Sequence, residues 1–274
     1  MRTLRALWGA THPGPAMVVT VLSLALGLAA GLEPWRFVVL VAAVFFGQLS
    51  VGLSNDALDL LRDAAVGRAD KPLVRGDTRR RTVWVAAAVC VVAALALSAL
   101  LGGWMLLAHG IALISAWSYN AVLKATPLSI VPFLVSFGLF PSLPTLSAAD
   151  PSIAATWATV AGAALGAAVH LTNVLPDLDD DRRTGVHGLP HRLGAPLSVG
   201  IAVAGIVAAA VAVLIGGGAR PVGWAFFCAV VLVAALIVSR MLRRGVDRGG
   251  FRLVMLAALV LAAQLVVTSA GLTG

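Results

Sequence analysis

The sequence predicts an all-α polytopic membrane protein, and three observations predict it. Apolar residues fill 60% of the 274 positions and charged residues only 12%, against about 45–50% and about 25% in soluble globular domains. The Ala, Val and Leu excess comes in blocks close to the ~20 residues that one helical crossing of the hydrocarbon requires. Those blocks are continuous rather than alternating, which argues against a membrane β-barrel.

Nine apolar runs succeed one another, at 15–32, 35–54, 83–101, 104–119, 128–147, 153–175, 196–215, 222–239 and 250–270. Residues 3–12 read as a short interfacial helix that ends at Pro13 and Pro15. Arg2 and Arg5 precede the first run as they would in a signal peptide, but eight further runs favour an uncleaved first helix. The division between the third and fourth runs rests on Gly102 and Gly103. Cys90 and Cys228 lie inside apolar runs without metal-ligand or redox-motif spacing, so they are read as small packing residues. The whole chain, 1–274, reads as a single transmembrane domain. Its two motif-bearing halves are approximately 15–127 and 128–270.

Charge then sets orientation. With nine spans, 18 of the 20 Lys and Arg residues fall at the N-terminus and on the 2–3, 4–5, 6–7 and 8–9 connections, leaving only Arg36 and Arg220 opposite. The positive-inside rule puts those loops and the N-terminus in the cytoplasm and the C-terminus outside. The net charge of +8 is thereby accounted for by topology, with no nucleic acid needed. Arg79, Arg80 and Arg81 read as an anchor for the third span.

The two long connections carry the chemistry. "NDALDLLRDAAVG" begins at Asn55 and "NVLPDLDDDRRTG" at Asn173, and both are N-x-x-x-D-x-x-x-D-x-x-x-G. The first sets Asn55, Asp59 and Asp63 one helical turn apart; the second sets Asn173, Asp177 and Asp181 likewise. Such ladders of hard oxygens suit Mg²⁺, which keeps several waters and bridges carboxylates to substrate phosphates. Arg68, Lys71 and Arg75 lie just past the first ladder, Arg182 and Arg183 flank the second, and Tyr119, Asn120 and Lys124 lie in the 4–5 loop on the same side. A diphosphate is the simplest ligand that uses all of these. One ladder alone would be an ordinary solvated helix end; two matched ladders at corresponding places are a repeated chemical motif. Asp56, Asp179 and Asp180 lie off the ladder face and read as solvated or supporting groups. Pro176 is expected to kink the sixth span and bring Asp177 inward.

At "NDALDLLRDAAVGRADKPL", "YNAVLKATPLSIVPF" and "NVLPDLDDDRRTGVHGLPHRLG" the chain resembles the UbiA superfamily of intramembrane prenyltransferases. The resemblance implies nine helices around a central cavity, with a Mg²⁺-diphosphate at the cytoplasmic mouth. It implies an isoprenyl diphosphate substrate whose allylic carbon alkylates a small aromatic, quinone-precursor or lipid acceptor. Asn55, Asp59, Asp63, Asp177 and Asp181 match the family's motifs, and Asn173 fits by spacing as well. Lys71, Tyr119 and Lys124 correspond to diphosphate-binding positions, and Arg68 and Arg182 are added as cations beside the ladders.

His170, one turn above Asn173, is a candidate cavity base and equally a candidate structural histidine. Gln48 stands two turns above Asn55 in a comparable place. Trp117, Tyr119, Phe133 and Phe137 are candidates to face a carbocation, although packing accounts for any one of them. His187 and His191 show no partner. Two rivals to prenyl transfer are a UbiA-type terpene cyclase, in which the chain's own double bond attacks the cation, and a transporter. Transport is disfavoured because the carboxylates cluster at one face. The expected location is a prokaryotic plasma membrane with the site on the cytoplasmic side.

Overall fold

The computed structural model describes residues 2–245, 247–268 and 271–273, so the terminal residues Met1 and Gly274, to which the orientation expectation also applied, lie outside the described residues. Among the described residues the architecture is helical throughout, without strands. The helices are α1 (Arg2–Ala10), α2 (Pro13–Ala29), α3 (Pro34–Ala65), α4 (Arg80–Leu101), α5 (Gly103–Ala121), α6 (Val131–Leu139), α7 (Ser142–Leu146), α8 (Thr156–Val174), α9 (Leu178–Arg183), α10 (Leu189–Gly216), α11 (Pro221–Arg244) and α12 (Arg248–Thr268). Among the described residues six helical segments are long and apolar enough to cross a bilayer; treating bent α1–α2 as one span gives seven.

The helices form a closed ring. α2 packs on α3, α3 on α4 and α5, α5 on α6, α6 on α8, α8 on α10, α10 on α11, and α11 on α12, which returns to α2. The largest apolar cluster lies between α8, α10, α11 and α12 and includes Ala168, Leu171, Ile206, Ala209, Val230 and Val254. The outer wall is apolar as well: Val92, Ile114, Leu232 and Leu242 are all more than half exposed. Water does not favour such a surface, whereas lipid tails do.

One expected span takes a different form. Residues 128–147 read as a single helix, but the chain there is a 3₁₀ turn (Pro127–Ile130), α6 and α7. Pro132, Pro141 and Pro144 withhold backbone donors and force these breaks. α6 is held against α8 by direct backbone approach: a Cβ on Gly162 would lie 2.2 Å from the Phe137 carbonyl oxygen, and one on Gly166 would lie 2.5 Å from that of Phe133. Between α1 and α2 the axis turns by 68°. His12 makes that corner at φ 54°, and it is the single non-glycine residue with positive φ among those described.

α3 is long for a reason that matters to the site. A span entering the hydrocarbon at Pro34 has crossed it after about 20 residues. The remaining turns of α3, from about Asn55 to Ala65, therefore project past the apolar slab and carry the first ladder.

Candidate active site

Both ladders open onto one cavity of about 660 Å³ whose walls include Asn55, Asp59, Asp63, Asn173, Asp177 and Asp181. Arg68, Lys71, Tyr119, Lys124 and His170 line the same cavity. Arg182 does not; it is half exposed and pairs with Asp179 at 3.2 Å. Arg182, expected as a diphosphate cation, thus makes a local i,i+3 pair on α9 and stands outside the cavity wall.

On the first wall the ladder is a regular stretch of α3. Asn55 donates through Nδ2 to Asn120 Oδ1 at 3.3 Å, and Asn120 in turn donates to the Val51 carbonyl and to Ser54 Oγ, both at 2.9 Å. With its amide nitrogen engaged, Asn55 keeps its oxygen for a ligand. Asp59 accepts from Arg62 at 2.7 Å and from Lys124. Lys124 reaches Asp59 because its 3₁₀ turn is pinned from below. A Cβ on Gly188 would lie 2.5 Å from the Lys124 carbonyl oxygen, so only glycine lets the second long loop pass so close. Burial pulls the Lys124 ammonium below the usual lysine range, opposed by the Asp59 charge.

The second wall is built otherwise. After α8 the chain makes a 3₁₀ turn over Leu175–Asp177, with Pro176 inside it, and then the six-residue α9. The second ladder is therefore not one continuous helix face. Asp177 is 38% exposed and lies 3.8 Å from both Arg68 and Arg248. Asp181 lies 3.6 Å from Arg62 and 3.5 Å from His191. His191, expected to lack a partner, thus approaches a ladder carboxylate.

Arg62 joins the two walls, since it touches Asp59 on one and Asp181 on the other. Sequence reasoning missed it, although its place three residues after Asp59 in "DLLRD" was the available signal. Asp56 was also under-read: it is 2% exposed and holds Lys71, with His12 Nε2 at 3.0 Å. Arg68 is gripped in a fork by Asp70, at 2.9 and 3.0 Å, which holds the Asp70 carboxyl down at about 2. The same hydrogen bonds, ahead of the Asp177 charge, keep the Arg68 guanidinium firmly protonated.

Among the described residues no three Asp, Glu, His or Cys side chains stand close enough together to hold an ion by themselves. The carboxylates are spaced apart with Arg and Lys between them. That fits a hard cation that arrives with an anion and completes its shell with phosphate oxygens and water, the usual Mg²⁺ mode. All the ladder donors are oxygens, which fits the same ion.

A side chamber of about 240 Å³ adjoins the main cavity, sharing Asn55, Tyr119 and Asn173 with it, and is lined further by Gln48, Phe133, Ser136 and Phe137. Among the described residues no Lys or Arg lines this chamber. His170, which lines the main cavity and not this chamber, is fully buried, with Nε2 3.0 Å from Ser129 Oγ, which also accepts from the Leu189 N–H. Its Nδ1 has no hydrogen-bond partner among the described residues. The Tyr119 and Phe133 rings pack at 5.7 and 4.8 Å from the imidazole centroid. Trp117 instead packs on Trp84 and points its N–H at Ser50 Oγ, so it is no part of the chamber.

A ring of membrane-type helices with carboxylate ladders on two walls of one polar cavity defines a class: an integral membrane protein with an anion-and-cation site at one end. The chain belongs to the UbiA prenyltransferase family, whose model matches residues 16–260. The apo structure of a UbiA homologue from Aeropyrum pernix K1 is similar at TM-score 0.76 and 20% identity, over 92% of this chain and 97% of that one. A UbiA homologue from Archaeoglobus fulgidus bound to GPP and Mg²⁺ is similar at TM-score 0.75 and 16% identity, over 96% and 99%. A digeranylgeranylglyceryl phosphate synthase structure is similar at TM-score 0.72 and 13% identity, over 98% and 99%. No curated protein matches the chain.

Proposed function

We propose that this protein is a Mg²⁺-dependent intramembrane prenyltransferase that ionises an isoprenyl diphosphate and passes the prenyl group to an uncharged small acceptor. The observation that carries the reading is the joint lining of one cavity by the six ladder residues and by Arg68, Lys71 and Lys124. A homologue of the same fold is bound to GPP and Mg²⁺. The reading takes the nine apolar runs as nine crossings, and with that count the charge asymmetry of the loops supports a cytoplasmic N-terminus and cavity mouth. A prokaryotic plasma membrane is the location that goes with this reading.

Asn55, Asp59, Asp63, Asn173, Asp177 and Asp181 would hold Mg²⁺ together with the diphosphate. When bound, the ion supplies Lewis-acid neutralisation of the leaving group. Arg68, Lys71 and Lys124 meet the charge that grows on the diphosphate as the allylic C–O bond breaks and its electron pair leaves with oxygen. Tyr119, Phe133 and Phe137 offer ring faces to the carbocation left behind. The apolar chamber keeps bulk water from it. An acceptor must finally lose a proton. In the tautomer whose Nε2–H donates to Ser129, His170 carries a free Nδ1 lone pair to receive it.

The lack of a Lys or Arg among the described residues of the side chamber also suits a cyclase, in which the chain's own double bond fills the acceptor's place. One experiment reads both. Purified protein in detergent is given dimethylallyl, geranyl, farnesyl and geranylgeranyl diphosphates with Mg²⁺. Diphosphate release is followed, and products are extracted for mass analysis. Release only when a quinone precursor or lipid alcohol is added is the expected result. Cyclic hydrocarbons or cyclic terpene alcohols without acceptor would establish the cyclase instead, and no release under either condition would refute both.

A further inference from the structure

The corner at His12 has three separate attachments to the site. Gly9 lies against Pro72, where a Cβ would come within 2.9 Å of its ring; Gly52 lies against Thr11, where a Cβ would come within 2.2 Å of the carbonyl oxygen; and His12 Nε2 stands 3.0 Å from Asp56 Oδ1 and 3.1 Å from Lys71 Nζ. The first touches the residue next to Lys71, the second the helix that bears the first ladder, and the third the lysine itself. His12 holds its position at φ 54°, a left-handed conformation uncommon outside glycine and populated mainly by Asn, Asp and His. A non-glycine residue stays in that conformation where surrounding contacts hold it, and the observation is a pointer to function rather than a consequence of it.

The Asp56 carboxylate is buried and, unlike Asp59 and Asp63, is not part of the cavity wall. Its partner Lys71 does line the cavity, and it lies 4.0 Å from Asp63 as well. Without a third contact, a flexible ammonium between two carboxylates has two resting places. The imidazole of His12 stands at the Asp56 side of the ammonium and selects one of them. An Nδ1–H tautomer accepts from Lys71, and an Nε2–H tautomer donates to Asp56; each closes the same corner.

We infer that His12 is a positioning residue for the diphosphate site: the N-terminal helix pair, through His12 and Asp56, holds Lys71 away from Asp63 and presents it to the phosphate. The inference rests on the diphosphate reading of the cavity. It adds to that reading a segment outside both ladders and before the first apolar run.

The test is calorimetric binding of inorganic diphosphate in the presence of Mg²⁺ to the full-length protein in detergent, which needs no acceptor. The variants are H12G, H12N, K71M and the double H12G/K71M. Glycine adopts the corner freely, so H12G removes the ring while relieving the backbone, and the asparagine of H12N tolerates the corner and restores a polar group. The expected result is about tenfold weaker binding for H12G, with at least half of the loss (on a logarithmic scale) recovered in H12N. In the K71M background H12G should cost nothing further, the signature of coupled residues. Wild-type affinity in H12G, or an equal loss in both backgrounds, would overturn the inference while leaving the diphosphate site intact. Failure of the wild type to bind diphosphate would instead overturn the site reading from which the inference starts.

Discussion

The two ladders have the same spacing in sequence and different constructions in space. The first is three consecutive turns of a 32-residue helix, with Asp59 and Asp63 6% and 7% exposed at the side chain. The second is cut by a 3₁₀ turn at Pro176, and its carboxylates are 16% and 38% exposed at Asp181 and Asp177. The first is held by groups fixed in place: Asn120 on Asn55, Arg62 and Lys124 on Asp59, Lys71 by Asp56. The second is held mainly by longer-range contacts of 3.5–3.8 Å to Arg62, Arg68, His191 and Arg248. A preorganised wall facing an adaptable one suits a ligand that must be gripped strongly and then released.

The largest effect should separate the walls. Asp59→Asn should lower diphosphate release by about 10³-fold, because the leaving-group site loses a charge and two half-buried cations, Arg62 and Lys124, lose their hydrogen-bonded carboxylate. Asp177→Asn, at a more solvated position, should lose about 10²-fold under the same Mg²⁺ and substrate concentrations. Melting curves in detergent would show that Asp59→Asn also destabilises the protein, whereas Asp177→Asn should not. Equal losses in rate and in stability would abolish the distinction between fixed and adaptable walls.

Arg62 is the link between them, so its removal probes the gap directly. Arg62→Met takes the bridging cation from Asp181 and leaves Asp59 with Lys124 alone, which should cost about 30-fold in rate. It should lower the melting temperature of the ligand-free protein by about 2–4 °C, roughly the shift per kcal/mol for a chain of this size. Mg²⁺ with diphosphate should restore most of that melting temperature, since it brings positive charge back to the gap. A variant with wild-type stability but reduced rate would assign Arg62 to the chemistry alone.

Features that depend on local chain chemistry were legible in the sequence, and features that depend on packing were not. The membrane class and the Asn–Asp–Asp spacing rest on composition and helical period. The local break at Pro176, a 3₁₀ turn, was legible for the same reason, because proline acts on its own backbone. The broken fifth segment carried the same signal in Pro132, Pro141 and Pro144, but a 20-residue apolar run outweighed it. Arg62, Asp56 and His12 were not legible in their roles. Asp56 and Asp59 lie within one turn of the same helix, and only the packing of α1 and α2 shows that Lys71 and His12 meet the former. The place of Arg182 outside the cavity wall was illegible for the converse reason: sequence proximity to Asp181 does not say which side of a short helix faces a cavity.

Pro176 gives a way to make the second wall like the first. Three residues of 3₁₀ helix turn by about 120° each against about 100° in an α-helix, so straightening them would rotate α9 by about 60°. Pro176→Ala restores the missing N–H and permits that change. The expected outcome is about a tenfold loss of rate with diphosphate affinity less affected, since Asp181 would leave Arg62 while Asp177 stays near the cavity. Unchanged kinetics would mean that the break serves packing only.

The smallest effect concerns Arg68, a first-loop cation that reaches the second wall. Its fork on Asp70 lies on the exposed rim, where Asp70 is 57% exposed at the side chain, so solvent screens the pair and it adds little stability. Its use is orientation. Asp70→Asn removes one charge and weakens the fork, and diphosphate should bind about threefold more weakly as Arg68 gains freedom. The pH dependence has a definite sign. The Asp70 carboxyl is held down at about 2, from an ordinary value near 3.8. Its contribution is therefore fully present above pH ~3.8 and is lost only as pH falls through about 2. Across an assay window of about pH 5 to 9, the ratio of wild-type to Asp70→Asn affinity should stay flat. A ratio that falls toward one at the acid end of that window would show Asp70 titrating there. The guanidinium would then be guided to Asp177 by something other than the fork.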